Sequence, residues 1–293
     1  MGNQIKRYMA FLAILAATDA FSAELLTAID FEDGAIPSKN GWGFGTQSGG
    51  ALTVSSDTKV NYLGSKGSLK ASYPVATGAI YVWGGYDVAA LNIRDVYIEF
   101  SAKLPAAKQG LKFLKIFGQR ETGKGYANTT IALVSDPGNE GGITQVSFGD
   151  GTSLENDTQN VINLNGSYGG WIGRAHKLGS LVETPQLTGW SAKSWGEDWH
   201  RFRVRVKFNS GDTEINQKPD GAYYLEIDGK VYVDAQNIYN RHYLNKPIQK
   251  IAFFDWAQNG TKAFEVMLDD IVISQGGFLS SPNAPVNPKM ISN

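Results

Sequence analysis

The strongest constraint on this chain is a short apolar alternation of period two. It runs from Glu24 nearly to the C-terminus and is broken every eight to fifteen residues by Gly, Pro, Asn or Asp. Successive side chains of a strand point to opposite faces, so each stretch reads as a strand buried on one side. The predicted strands are Leu25 to Phe31, Gly67 to Tyr73, Ala79 to Tyr86, Arg94 to Leu104, Leu111 to Phe117 and Asn128 to Ser135. They continue with Gly142 to Phe148, Trp199 to Asn209, Gly221 to Ile227, Lys230 to Asp234, Ile248 to Phe254 and Ala263 to Ile273. Asp33-Gly34, Asp150-Gly151, Asp220-Gly221, Asp228-Gly229 and Asn259-Gly260 tolerate positive φ, and Asp228-Gly229 has the two-residue spacing of a hairpin. A dozen strands, with no long amphipathic helix and no alternation of strand and helix, predict an all-β fold. Its form is two antiparallel sheets packed face to face in one domain.

The two ends read differently. Lys6 and Arg7 precede an apolar run from Tyr8 to Ala17, and Ala20-Phe21-Ser22-Ala23 follows. This order predicts a signal peptide over residues 1–23 and a secreted or periplasmic protein. The run is about half of the ~20 residues a membrane span needs, so no membrane insertion is expected after cleavage. What remains carries 25 cations against 27 anions, a balance that argues against nucleic acid as a partner. With no Cys, disulfides, thiolate zinc sites and Cys nucleophiles are excluded. The domain is expected to span 24–276 as a monomer, with 277–293, which holds Pro282, Pro285 and Pro288, as a flexible tail. Within the domain, 150–198 is rich in Gly and Trp and reads as long loops, where function tends to sit.

Three segments carry a resemblance: AIDFEDGAIP (Ala28 to Pro37), GSLKASYP (Gly67 to Pro74) and VMLDDIVIS (Val266 to Ser274). WHRFRVRVKFN followed by PDGAYYLEIDGKVYVD adds a strand, a loop and a hairpin in the same order. This layout resembles the concanavalin A-like jelly-roll superfamily of lectins, laminarinase-type glucanases and polysaccharide lyases. It is nearest in plan to the heparin-lyase-like and alginate-lyase-like branches. The resemblance implies a two-sheet antiparallel jelly-roll sandwich and a polysaccharide partner. The alginate-lyase pattern Tyr-x-Lys-Ala-Gly with a downstream Tyr-x-Gln is absent. If first and last strands pair as in such a jelly roll, Asp30, Glu32 and Asp33 meet Asp269 and Asp270. The oxygen ligands Asp30, Glu32 and Asp269 would then suit a structural calcium, with solvated carboxylates as the alternative.

Hydrolases of this superfamily place Glu-x-Asp-x-Glu on one strand face. The nearest approach, Glu226-Ile227-Asp228, runs into Gly229 and Lys230 and also reads as a hairpin turn. A β-elimination needs other groups: a cation or amide to neutralise the uronate carboxylate, a base for the C5 proton and an acid for the leaving oxygen. The candidates are Lys115, Arg174, His176 and Tyr224. In GLKFLKIFGQR, Phe113, Lys115 and Phe117 alternate with Lys112, Leu114 and Ile116, and a Lys among apolar residues is either a tuned groove residue or an edge Lys covering apolar surface. Tyr81, Trp83, Lys112, Arg120, Trp171 and Trp256 are the candidate sugar-binding residues, although large aromatics also fill sandwich cores. Arg201, Arg203, Arg205 and Lys207 form a cationic row opposite the face of His200, Phe202, Val204 and Val206. That row either tracks an acidic polysaccharide or pairs with Asp95, Glu99 and Glu226 on neighbouring strands. The leading expectation is a lyase acting on a uronate-containing glycan. A non-catalytic carbohydrate-binding module is the alternative.

Overall fold

The structure is a computed structural model. It describes residues 23–38, 41–59, 61–76, 78–104, 110–118, 132–135, 145–148, 160–163, 198–211, 218, 220–238, 247–258 and 263–279. The strands are β1 (Glu24–Ile29), β2 (Trp42–Gln47), β3 (Ala51–Ser55), β4 (Ser68–Tyr73), β5 (Ala79–Asp87), β6 (Asp95–Lys103), β7 (Gly110–Gly118) and β8 (Ala132–Ser135). They continue with β9 (Gln145–Phe148), β10 (Asn160–Asn163), β11 (Trp199–Lys207), β12 (Gly221–Ile227), β13 (Lys230–Ile238), β14 (Ile248–Gln258) and β15 (Phe264–Gln275). All the pairings are antiparallel. The first sheet runs β13-β12-β11-β6-β15-β4-β3, with β1 also on β15; the second runs β10-β9-β8-β7-β14-β5-β2. The expected two-sheet sandwich is therefore present. Among the described residues no helix is long and apolar enough to cross a membrane.

Period-two alternation places the core between the sheets. Phe202, Val204 and Val206 of β11 and Val96, Ile98 and Phe100 of β6 are fully buried. Phe100 stacks on Phe202 at 4.8 Å and meets Phe253 of the second sheet edge-on at 5.3 Å. The Asp228-Gly229 turn joins β12 to β13 as predicted, with φ of 52° and 77°. Its Asp228 carboxylate also takes the Arg201 N–H and sits 2.6 Å from His200 Nδ1, so the turn is tied to β11. His200 is thus a buried residue with a partner, on the core-facing side of its strand.

Three strands differ from expectation. β2 and β3 fall in a Gly-rich stretch with little apolar alternation, and β10 lies inside the segment read as loops. The alternation in β7 also breaks. Phe113 and Leu114 are both fully buried because the register with β14 shifts between Phe253 and Trp256, as a bulge requires. Phe113 therefore packs on Phe253 and Phe254 instead of sharing a face with Lys115. At the C-terminal end, Gly277 to Leu279, expected as the start of the tail, lie on the outer face of the first sheet. The Leu279 N–H donates to Glu99, and the Phe278 ring meets Tyr97 edge-on.

Candidate functional site

The outer face of the second sheet gathers the cations and rings that could hold a ligand. Ile80, Val82 and Tyr86 of β5 face the core, so Tyr81, Trp83, Gly85 and Asp87 face outward. Pairing extends this face across four strands. Lys115 lies opposite Ala252, Ala252 opposite Gly85, and Gly85 opposite Gly43. One row thus holds a single long side chain over small neighbours. In the next row Phe117 lies opposite Lys250, and Lys250 opposite Asp87. The Lys115 ammonium stands 5.6 Å from the Phe117 ring centre, and the Lys250 ammonium 4.4 Å from that of Trp83. Tyr81, 39% exposed, extends the aromatic surface toward Gln47.

Of the sequence candidates, Lys115, Tyr81 and Trp83 share this face. Lys112 pairs with Trp256 through the backbone, but both side chains lie outside the described residues, as do Arg120, Trp171, Arg174 and His176. Tyr224 is corrected. It lies opposite Arg205 in the first sheet, on the outer face of the other layer, so it does not share a site with Lys115. Its hydroxyl donates to Glu226 at 2.6 Å, and burial, followed by that carboxylate, pushes its pKa well up. Lys250 escaped the sequence reading, although IQKIAFF has the same signal as FLKIF: one Lys inside an apolar strand.

The cationic row on β11 is used internally. Arg205 forms a two-pronged pair with Asp95, at 3.0 and 2.8 Å. Arg203 reaches Glu226 at 3.1 Å and Glu99 at 3.6 Å, and its guanidinium lies 4.1 Å from the Phe278 ring centre. These are the neighbours that cross-strand pairing offered. The Glu226-Ile227-Asp228 segment likewise forms a buried ion pair and a turn.

The first and last strands do pair, with Ile29 opposite Ile271. Asp30, Asp33 and Asp270 line one cleft beside them. Glu32 accepts the Lys66 and Gly67 N–H groups, and Asp269 accepts Ser65 Oγ and the Asp270 N–H. Among the described residues no three His, Asp or Glu side chains group to hold a metal ion. The calcium proposed from the sequence would sit beside these carboxylates, and it is tested by thermal midpoints in CaCl2 and in EDTA: a midpoint lowered by EDTA would show a metal, and coincident midpoints would count against one.

Burial raises the Asp269 pKa to about 7 and that of Asp270 to about 6. Unfolded carboxyls titrate near 4. The folded state therefore holds protons that the unfolded state releases. This stabilisation is full below about pH 4, declines as pH rises above that, and is gone once pH has passed the folded-state values near 6 and 7. Asp269→Asn is expected to flatten the pH slope, because the amide can donate to Ser65 while Ser65 donates to the Gly67 carbonyl. Urea unfolding at pH 5 and pH 8 checks this; equal wild-type stability at both would refute it.

No protein-family model and no curated protein sequence matches the chain. Solved structures do. A glucuronan lyase from the fungus Trichoderma reesei aligns over 85% of this chain and 95% of its own at 14% identity, with a TM-score of 0.50. The fold is a two-sheet antiparallel jelly roll. The cellulose-induced protein Cip1 matches over 84% of this chain and 96% of its own at 15% identity and TM-score 0.47. The alginate lyase vAL-1 from Chlorella virus matches over 85% and 99% at 13% and 0.46. In this jelly roll both outer faces are built from the period-two rows, and they differ in use. That of the first sheet pairs its charges with one another, and that of the second sets Lys115 beside Ala252, Lys250 over Gly85 and Trp83 over Gly43 and Gly45, with Tyr81 exposed on the same face.

Proposed function

We propose that this jelly roll is an exported carbohydrate-active protein that holds a uronate-containing glycan on the outer face of its second sheet and cleaves it by β-elimination. The observation that carries the reading is Lys115, set in a row of small residues beside an aromatic surface. A polymer of sugar rings needs a long flat track with rings to stack on, and a uronate needs a cation. In β-elimination the base takes the C5 proton, the electron pair of the broken C5–H bond forms the C4=C5 double bond, and the C4–O bond breaks with its pair going to the leaving oxygen, which a proton then neutralises. Neutralising the C6 carboxylate makes the C5 proton removable, and that is the role given to Lys115. Arg174 and His176 are the groups to test as second cation and base. The shared fold with a glucuronan lyase supports the substrate class.

The test is ultraviolet absorbance from unsaturated uronate ends over glucuronan, alginate, pectate and heparin. Product on at least one is expected, and absence on all four would sink the lyase reading. A second reading is a non-catalytic binding module. It is favoured by the face itself, whose described residues offer cations and rings but no His. Retardation in a polyuronate gel without product would select it.

A further inference from the structure

Lys250 is placed in an unusual way for a strand lysine. Asp87 lies directly opposite it and would be its ordinary partner. The side chain instead crosses Gly85, where a Cβ would stand 2.3 Å from Lys250 Cε, and brings its ammonium over the Trp83 ring. Among the described residues it forms no salt bridge, and Asp87 acts on it only at longer range. The indole is seated as deliberately. A Cβ at Gly45 would lie 2.6 Å from Trp83 Cζ2, and one at Gly43 would lie 3.4 Å from Cζ3. Three glycines on facing strands thus let one ring and one lysine stem lie down against the sheet.

Resting on the reading of this face as the glycan site, we propose that Trp83 and Lys250 form a uronate subsite that selects acidic over neutral glycans. The carboxylate of one uronate takes the Lys250 ammonium and draws it off the indole, and the apolar face of that pyranose ring packs on the indole surface so exposed. The arrangement fits because a ring-bound cation that no carboxylate among the described residues pairs with gains a charge-assisted bond when an anion arrives. It also divides the labour of two cations. Lys250 holds a ring in place, whereas Lys115, one row away, meets the carboxylate of the residue being cleaved. Lys250 is thus a positioning and specificity residue.

Lys250→Met keeps the stem and removes the charge; Lys250→Arg keeps the charge. Affinity is measured for oligoglucuronate and for a neutral β-glucan of matched length, with KM and kcat on polyglucuronate. Lys250→Met is expected to weaken acidic binding about tenfold, equivalent to about 1.4 kcal/mol, with neutral binding unchanged and the loss falling on KM more than on kcat. Lys250→Arg restores most of it. Trp83→Ala weakens both ligands, and Gly45→Ala, which displaces the indole, follows it. Acidic affinity unchanged in Lys250→Met would overturn the subsite while leaving the lyase reading intact. Lys250-dependent binding by a wild-type protein that makes no product would keep the subsite and remove the lyase reading. Absence of any polyuronate binding overturns both.

Discussion

Lys115→Met is expected to lower kcat/KM on a cleavable polyuronate by about 10²- to 10³-fold, the usual loss when one preorganised charge-stabilising group is removed. Methionine keeps the stem in its row with Ala252, Gly85 and Gly43, so the sheet stays intact. Because the charge matters most as the C5 carbanion develops, the loss falls mainly on kcat. That separates Lys115 from Lys250. Initial rates of double-bond formation measure it, with the thermal midpoint as a control for folding. A variant with near wild-type kcat would show that the carboxylate is neutralised elsewhere.

The second large effect concerns stability. Arg203→Met is expected to cost about 3–5 kcal/mol, the usual range when one partner of a buried ion pair is removed. Glu99 is fully buried and Glu226 nearly so, and both face this guanidinium. Removing it also strips the cation from beneath Phe278 and loosens the segment at Gly277 to Leu279. Adding Glu226→Gln should recover part of the loss, since the amide carbonyl still accepts the Tyr224 hydroxyl. Urea unfolding of the two variants decides it. A loss under about 1 kcal/mol for Arg203→Met would place the row among ordinary surface pairs.

Much of the first sheet was readable from sequence because period two and antiparallel pairing together name the cross-strand neighbours. Asp95, Glu99 and Glu226 were open to that reading as partners of the β11 arginines. Which sheet each strand joins was less readable, since successive strands cross between layers. For this reason Tyr224 and Lys115 looked compatible and are not. β2 was hidden by its own glycines. Gly43 and Gly45 erase the apolar pattern, and their purpose is visible only once β5 lies alongside and Trp83 rests on them. In β7 the bulge turned Phe113 inward, a shift that depends on β14 and leaves no trace in β7 itself.

The most direct test is a crystal structure of Lys115→Met with a bound oligoglucuronate, which the variant should bind without cleaving. Rings are expected along Tyr81 and Trp83 on the second sheet, with one carboxylate at Lys250 and another beside position 115. An oligosaccharide seated on the first sheet's outer face, or in the cleft beside β1 and β15, would contradict it.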